Sequence, residues 1–418
     1  MPRAMSASLN AHDDLLLDAE APAVAAALSS SPAPIDVSVH EDLAAIEHDW
    51  RAFEASADCL VFQTSAWLST WQRNVAARND VRAAIVIGRD AHGAVLFILP
   101  LATRPLRAAR ELVFLGSELC DYNAPLLAPR FTAAVPADRF AALWRRIRAA
   151  LARYPRLRYD LVRLEKMPAT VGLQPNPMLG LGVTLNPSGA YATPLAGTWD
   201  AFYAAKRSSA TRSRDRGKRK KLAEHGALAF VEPRDEADLL ATLDVLVAQK
   251  SRAFARMGVS NIFARPGYVD FYRALFTDAG ARHLTHVSRL DCGTQPVAVN
   301  LGLTFRDRYY HLQASHDDGE LSRFGPGAAH LHDLLRTAIE RGLTTYDFTI
   351  GDESYKRDWC DGVVPLYDHL SSATLHGALL LAPMAAKTRL KRVIKQTPAL
   401  WDAFRRLRSL VGRLLARG

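Results

Sequence analysis

The chain has 418 residues, 49% of them hydrophobic, which suits a globular protein of two domains or of one duplicated unit. Its four cysteines form no CxxC pair, so the sequence argues against a zinc site or a disulfide framework, and we expect no metal and a reducing compartment. The net charge of +10 is concentrated in two segments, 206–221 with a net charge of +8 and 387–418 with +9, so the remainder is net −7.

Residues 1–34 are rich in Ala, Ser and Pro and are predicted to be a disordered tail. Residues 35–190 are predicted to form a first α/β unit. Helical periodicity covers 41–55 and 65–77, two strands flank the turn at 90–93, and a third strand covers 111–116. The loop ELCDYNAPLLAP, a helix with apolar residues at Phe140, Leu143, Ile147 and Leu151, and the strand YDLVRL complete the unit.

Residues 191–375 are predicted to repeat this order. One helix is expected from 199 through the basic segment to 223, then a strand over 228–233 and helices over 235–256 and 267–279. Three strands joined by tight turns follow, and a glycine-containing loop, a helix and the strand TTYDFTI come last. We therefore predict an α/β fold made of two related halves, each a mixed sheet flanked by helices. Residues 376–418 are predicted to be a basic amphipathic helical tail.

The most informative motif is Gly325-Pro326-Gly327, which opens directly into a helix. A helix N-terminus presents free N–H groups and the positive end of the helix dipole, which together suit a phosphate group. Arg323 adds a positive charge beside the loop. The alternative is a loop that only caps the helix. In the first half the corresponding segment, DYNAPLLAPRF, has no such motif.

The strands before this loop each have two unlike faces. Ala298, Asn300, Gly302 and Thr304 alternate with larger apolar residues, and small residues let a ligand approach the backbone. On the next strand the alternation places Tyr310, Leu312 and Ala314 on one face and His311, Gln313 and Ser315 on the other. His311 and Gln313 are therefore predicted to line a cleft beside the loop. The alternative is a polar face that is solvated or satisfied internally.

The segments TRSRDRGKRKKLAEHGAL, PVAVNLGL, RFGPGAAHLHDLLRTAIERG and YDFTIGDESYKRDW lie in this order between 211 and 359. Together they resemble the CelD-type acetyltransferases of cellulose and exopolysaccharide synthesis. These are a branch of the GNAT superfamily that is similar to the FemAB-type transferases. The resemblance implies a duplicated GNAT-like fold and acyl transfer from acetyl-CoA or another acyl-CoA, with no permanently bound cofactor. The usual loop has a basic residue where Ser322 stands, and Arg323 is displaced by one position.

The resemblance implies that Arg323, Gly325, Gly327 and Ala328 hold the cofactor pyrophosphate. It also points to Asp347, Tyr355 and Lys356 as catalytic residues. By chemistry, His311, His316, Asp352 and Glu353 also qualify as general bases, Tyr355 could protonate the leaving thiolate, and Lys356 could stabilise an oxyanion. Asn300, Gln313, Arg212 and Lys218 are expected to bind substrate.

Three functions remain open from the sequence. The first is an acyl-CoA-dependent acyltransferase acting on an amine or hydroxyl of a small molecule or saccharide. The second is a FemAB-type transferase that uses aminoacyl-tRNA, with the basic segment 206–221 holding RNA rather than forming a solvated helix face. The third is a non-catalytic accessory protein of a polysaccharide synthase. We expect a cytoplasmic protein and no DNA partner. The tail, 387–418, is expected either to contact an anionic membrane surface on the inner side or to dock on its own domain.

Overall fold

The computed structural model describes residues 34–397 and residue 400. The predicted N-terminal tail, except Pro34, and most of the basic C-terminal segment therefore lie outside the described residues. Within the described part, no helix is long and apolar enough to cross a membrane. The same residues contain no cluster of His, Cys, Asp and Glu that could hold a metal ion.

Residues 34–194 contain twelve strands and four α-helices, and the last of these strands lies in the sheet of the second half. The strands are β1 Asp36–His40, β2 Arg82–Ala83, β3 Ile85–Arg89, β4 Val95–Leu99, β5 Leu101–Leu106, β6 Ala109–Phe114, β7 Leu126–Leu127, β8 Leu161–Pro168, β9 Thr170–Val171, β10 Gln174–Pro175, β11 Thr184–Leu185 and β12 Ala190–Pro194. The helices are α1 Glu47–Glu54, α2 Ser65–Trp71, α3 Phe131–Ala134 and α4 Ala137–Ala152. The predicted helix around Phe140 and Leu151 is confirmed as α4, whose apolar side is buried.

The second half contains the elements that frame the glycine loop. The helices are α5 Trp199–Lys206, α6 Ser209–Ala223, α7 Glu236–Met257, α8 Tyr268–Thr277, α9 Pro326–Glu340, α10 Ser354–Arg357 and α11 Leu375–Gln396. The strands are β13 Leu228–Val231, β14 Thr285–Cys292, β15 Gln295–Phe305, β16 Arg308–His316, β17 Thr345–Ile350 and β18 Leu366–Ser372.

Two six-stranded mixed sheets dominate the fold, in the orders β11-β18-β8-β6-β5-β2 and β12-β17-β16-β15-β14-β13. Each contains one parallel pair, β6 with β8 and β16 with β17, and a long helix, α4 or α9, connects the two strands of that pair. The prediction of an α/β fold with mixed sheets flanked by helices is confirmed. A further sheet, β1-β3-β4-β7, packs in the first half.

The two halves share one core. The largest hydrophobic cluster joins Trp67 and Trp71 of the first half to Phe271 and Tyr310 of the second. Phe271 packs edge-on against Trp67 with ring centroids 4.8 Å apart. Because burial of aromatic surface across this boundary stabilises both sides, the halves form one packed body.

The last strand crosses back to the first half. β18 pairs antiparallel with β8 and with β11, although the sequence places residues 191–375 in the second half. The division of the chain into halves stays a prediction, but the first sheet contains a strand from the end of the chain. The side chain of Asp368 ties this strand in place, since it accepts hydrogen bonds from the N–H of Lys166 and the amide of Asn186.

The prediction of a single helix from 199 to 223 is wrong. The chain is extended at Arg207, and Ser208 then caps α6 by accepting a hydrogen bond from the N–H of Thr211. A serine that follows a non-helical residue is a strong helix start, which the charge run obscured in the sequence. α5 packs through its aromatic side chains, with Trp199 stacked on Tyr203 and Phe202 stacked on Trp359.

Candidate active site

The parallel strands β16 and β17 separate where the site lies. They pair only over Arg308–Tyr310 and Thr345–Asp347, although β16 continues to His316 and β17 to Ile350. Beyond Tyr310, therefore, the edge of β16 that faces β17 has no ladder partner. An unpaired strand edge offers backbone donors and acceptors to a ligand.

A β-bulge in β16 changes which side chains face this opening. Leu301 lies opposite Gln313, but its neighbour Gly302 lies opposite His311, so Leu312 is an extra residue. The predicted alternation is therefore wrong beyond this point: Gln313 and Ser315 lie on the face that carries Tyr310, opposite His311. The hydroxyl of Ser315 donates to Gln249 of α7, which covers that face. A bulge adds one residue to one strand and so breaks the period of two.

The glycine loop, residues 325–327, lies at the N-terminus of α9 as predicted. Gly325 has φ +67°, a left-handed conformation that favours glycine. Its carbonyl accepts hydrogen bonds from the N–H groups of Ala328 and Ala329, while the N–H of Gly327, in the first turn, has no intrahelical acceptor. The loop therefore presents a backbone donor at the positive end of a 15-residue helix.

Two predicted residues and one histidine surround the loop. The Lys218 side chain of α6 passes close to Gly325, its Cδ 3.9 Å from where a Cβ on that glycine would be. His316 closes the other side, since a Cβ on Gly327 would be only 3.2 Å from its ring. Arg323 lies over the ring of Phe324, 4.8 Å from the centroid. The charges of Lys218 and Arg323 and the helix dipole favour an anion at the loop.

The basic helix α6 packs directly against α9. Arg219 donates to the carboxylate of Asp333 at 2.9 Å and to the carbonyl of Ala329 at 3.3 Å, so one cation of the charge run is structural. Arg212, predicted to bind substrate, donates to the carbonyl of Arg207 at the break between α5 and α6. The structure therefore places Lys218 beside the glycine loop and Arg212 more than one turn away along the helix.

Asp347 lies where β16 and β17 begin to separate, and it is fully buried. One carboxylate oxygen accepts from the hydroxyl of Tyr122 at 2.7 Å and the N–H of Thr349 at 2.8 Å, and the other accepts from Arg308 at 3.0 Å. Burial raises the pKa of this carboxyl, and Arg308 opposes that shift. Thr349 has φ +58°, so the Asp347 carboxylate holds a strained backbone turn at the cleft.

Lys356, predicted to be catalytic, is buried and closes the same turn. Its ammonium group donates to the carbonyl of Ile350 at 3.0 Å and pairs with Glu353 at 3.0 Å. The third nearby acceptor is the carbonyl of Thr349 at 3.4 Å. Tyr355 is partly exposed and packs edge-on against Phe348, and burial of its hydroxyl followed by the charge of Glu353 raises its pKa. Its hydroxyl therefore stays protonated at neutral pH.

His311 and Asn300 lie on the other face of the sheet, beneath α9. His311 exchanges a hydrogen bond with the hydroxyl of Tyr346 at 2.9 Å, and burial, followed by the charge of Lys356, lowers its pKa to about 3. Asn300 donates to the hydroxyl of Tyr309 at 2.7 Å, which contacts His286 in turn. Both predicted site residues take part in internal hydrogen bonds, the alternative that the sequence left open.

Two ionisable residues near the turn that carries Lys356 were not identified from the sequence. Asp121 comes from the first-half loop DYNAP, and burial raises its pKa while Lys166 opposes the shift. Lys250 comes from α7, and burial followed by the charge of Lys356 lowers its pKa, while Glu353 and Asp121 oppose that shift. Both pKa shifts favour the neutral form of the group. Asp121 interacts electrostatically with Lys356, and Lys250 interacts with both Glu353 and Lys356. The single sequence signal was that the segment DYNAP occupies the position in the first half that corresponds to the glycine loop in the second.

One family model matches part of the chain. Residues 209–357 match a family model described as an acetyltransferase (GNAT) domain. The match covers about a third of the chain and includes α6, strands β14 to β16, the glycine loop and Lys356. That segment is similar to GNAT-type acetyltransferase domains. No curated protein sequence matches the chain. The narrower cellulose-associated group named from the sequence stays a prediction.

Two solved structures share the fold over most of the chain. The crystal structure of FemX has a TM-score of 0.53 at 11% identity and covers 78% of this chain and 96% of its own. A conserved protein of unknown function from Bacteroides thetaiotaomicron VPI-5482 has a TM-score of 0.50 at 11% identity, covering 81% of this chain and 100% of its own. At such identities the likeness shows the fold alone.

Proposed function

We propose that the chain is an acyl-CoA-dependent acyltransferase, with acetyl-CoA as the simplest donor, that acylates an amine or hydroxyl acceptor. The observation that carries the proposal is the glycine loop beside the unpaired edge of β16. The loop, Lys218 and Arg323 supply positive charge for the pyrophosphate of coenzyme A. Beyond Tyr310 the carbonyl of His311 accepts from the hydroxyl of Thr349, and the rest of this edge supplies donors and acceptors for the amides of the pantetheine arm.

In this proposal the acceptor approaches the thioester from the first-half side of the cleft. Asp121 takes the proton from the acceptor amine or hydroxyl. Its raised pKa lies closer to neutral pH than the pKa of an exposed aspartate, which makes it a better general base. The acceptor atom attacks the thioester carbonyl carbon, and the tetrahedral intermediate collapses with loss of the coenzyme A thiolate. Tyr355 donates a hydrogen bond to that thiolate, and the thiolate takes its proton from solvent, because a thiol is a stronger acid than a tyrosine hydroxyl of raised pKa. Asp347 and Lys356 act as positioning residues, since their contacts hold the turn at Thr349 and Gly351.

Replacing Gly327 tests the site directly. A side chain there meets the His316 ring, so Gly327→Trp is expected to abolish coenzyme A binding in titration calorimetry. Gly362→Trp is the matched control, because a Cβ at Gly362 has no atom within 4 Å, and it should bind like wild type. Equal binding by both variants would contradict the loop assignment.

Mutation of Asp121 tests the chemistry separately from binding. Asp121→Asn should lower kcat by roughly 100-fold, the usual contribution of a general base, with little change in acetyl-CoA affinity. Release of free coenzyme A thiol in the presence of amine and saccharide acceptors measures the rate. An unchanged kcat in Asp121→Asn would remove Asp121 from the mechanism while leaving the donor site intact.

The alternatives give different binding results. Salt-sensitive binding of tRNA without binding of coenzyme A would support a FemAB-type transferase in which α6 contacts RNA. Binding of neither would support a non-catalytic accessory protein of a polysaccharide synthase. A role in polysaccharide or envelope synthesis, and contact of 387–418 with an anionic membrane surface, stay predictions from the sequence.

A further inference from the structure

Helix α11 carries an exposed apolar stripe along one side. Leu375, Leu379, Leu390 and Val393 have relative exposures of 89%, 78%, 62% and 53%. Ala382 and Ala386 are exposed between them. The six positions are spaced i, i+4, i+7, i+11, i+15 and i+18, which places them along one face of a helix. We call these residues the outer stripe.

The opposite side of α11 packs on the protein. Gly377 is buried so closely that a Cβ there would overlap the carbonyl oxygen of Asp160. Leu381 and Met384, on the same side as Gly377, are half-buried. The helix is therefore held on strands β18 and β8 by its inner side, and the outer stripe faces away from the protein.

A cavity lined by arginines opens at the start of this helix. Arg145, Arg148 and Arg158 line a space of about 580 Å³ together with Ala373 and Thr374, the two residues before α11. Within residues 34–397 none of these three arginines forms an ion pair with a carboxylate. The acid in the lining, Asp160, accepts from Thr374 and from the N–H of Arg110. The cavity therefore has an excess of positive charge.

Positive charge also accompanies the far end of the stripe. Between 387 and 395 the sequence has five Lys or Arg and no acid. The outer stripe therefore has cations near both ends. This arrangement matches the interface of an anionic bilayer, where apolar side chains enter the acyl boundary and cations contact phosphate headgroups. Self-association through the same stripe would bring these cations together, which opposes a dimer with two-fold symmetry.

We propose that α11 lies flat on an anionic phospholipid bilayer, with the outer stripe in the interface and Arg145, Arg148 and Arg158 against lipid phosphates. From Leu375 to Val393 the stripe extends for about 27 Å at 1.5 Å per residue. This docking surface is separate from the glycine loop, so the inference does not depend on acyl transfer. It differs from the predicted contact through 387–418, because most of it precedes residue 387.

Vesicle sedimentation with the full chain tests the surface. Vesicles of phosphatidylglycerol and phosphatidylcholine in equal parts should bind the protein, and pure phosphatidylcholine vesicles should not. The double variant Leu375→Glu/Leu379→Glu should reduce binding at least about tenfold, since two leucines leave the interface and two anions enter it. Leu173→Glu is its control, because Leu173 is 98% exposed on a first-half hairpin and should leave binding unchanged.

The arginine cavity has its own pair of variants. Arg145→Glu/Arg158→Glu should weaken binding by about fivefold or more for each arginine removed, whereas Arg139→Glu, also on α4 but outside the cavity, should have a much smaller effect. Circular dichroism of each variant shows whether it is folded.

Three results would overturn the proposal: equal binding by the stripe variant and wild type, binding that does not require anionic lipid, or a wild-type dimer that Leu375→Glu/Leu379→Glu converts to a monomer. Loss of membrane binding only on deletion of 398–418 would also overturn it, in favour of the tail alone.

Discussion

The contact between Tyr122 and Asp347 joins the two halves, and a double-mutant cycle can measure its energy. The hydroxyl of Tyr122 donates to the buried carboxylate of Asp347 at 2.7 Å, across 225 residues of sequence. Removal of a hydrogen bond to a buried charge costs about 1.5–3 kcal/mol, so Tyr122→Phe should lower the free energy of unfolding by that amount. The carboxylate keeps Arg308 and the N–H of Thr349 as partners in this variant.

Asp347→Asn removes the ion pair as well. Breaking a fully buried pair costs about 3–5 kcal/mol, but the Arg308 side chain is 36% exposed and can be solvated, so about 3 kcal/mol is expected. Asparagine keeps an oxygen that accepts from Tyr122, so Asp347→Asn removes only the charge-assisted share of this hydrogen bond, and the double variant Tyr122→Phe/Asp347→Asn loses that share once. The two single effects should therefore exceed the double effect by about 1–2 kcal/mol.

Urea unfolding followed by circular dichroism and tryptophan fluorescence measures all four corners of the cycle. The matched control is a second cycle that uses Tyr154 in place of Tyr122. The hydroxyl of Tyr154 donates to the carbonyl of Val39 within the first half. The cycle of Tyr154→Phe with Asp347→Asn should be additive to within about 0.5 kcal/mol. Additivity in the Tyr122 cycle as well would refute the role of this contact in joining the halves.

Two further predictions concern packing and pH. Gly267 has φ +82°, and a Cβ there would overlap the carbonyl of Asn74 in the first half, so Gly267→Ala should destabilise the protein by about 3 kcal/mol or more. Gly197→Ala, with φ +69° and no neighbour within 4 Å, should cost only about 1 kcal/mol in the same urea assay; similar costs would contradict the packing argument. Burial raises the pKa of Asp368 from 3.8 to about 6, so the protonated carboxyl favours the folded state and its contribution to stability is lost as the pH rises through about 6. Wild type should therefore lose roughly 3 kcal/mol relative to Asp368→Asn between about pH 4 and pH 7, and a pH-independent difference between the two would refute this pKa shift.

The elements with strong local signals could be predicted from the sequence. The helix Pro326–Glu340 shows both a glycine-proline start and a regular apolar period, and the structure places it there. The three strands joined by tight turns, β14 to β16, were also predicted, because their turns and alternation are local features. What these elements have in common is that neighbours in sequence determine them.

The site itself depends on contacts that are distant in sequence. The bulge at Leu312 shifts Gln313 to the opposite face of the strand. The regular two-residue alternation used to assign faces from the sequence does not reveal such a bulge. Asp121 and Tyr122 reach β17 through the packing of the first-half loop, and the position of their segment in the duplicated order is its single sequence signal. His311 and Asn300 looked available in the sequence because a face that a helix covers and a face that a ligand covers show the same alternation.

The return of β18 to the first sheet has a consequence for how the chain becomes folded. A ribosome releases residues 366–372 about 200 residues after β8, yet these residues supply the neighbour of β8 in the sheet of the first half. Until residues 366–372 have been synthesised, β8 therefore has an open strand edge, and the partly made chain is prone to mispairing. Fragments that stop before residue 366 should aggregate rather than behave as an independent domain.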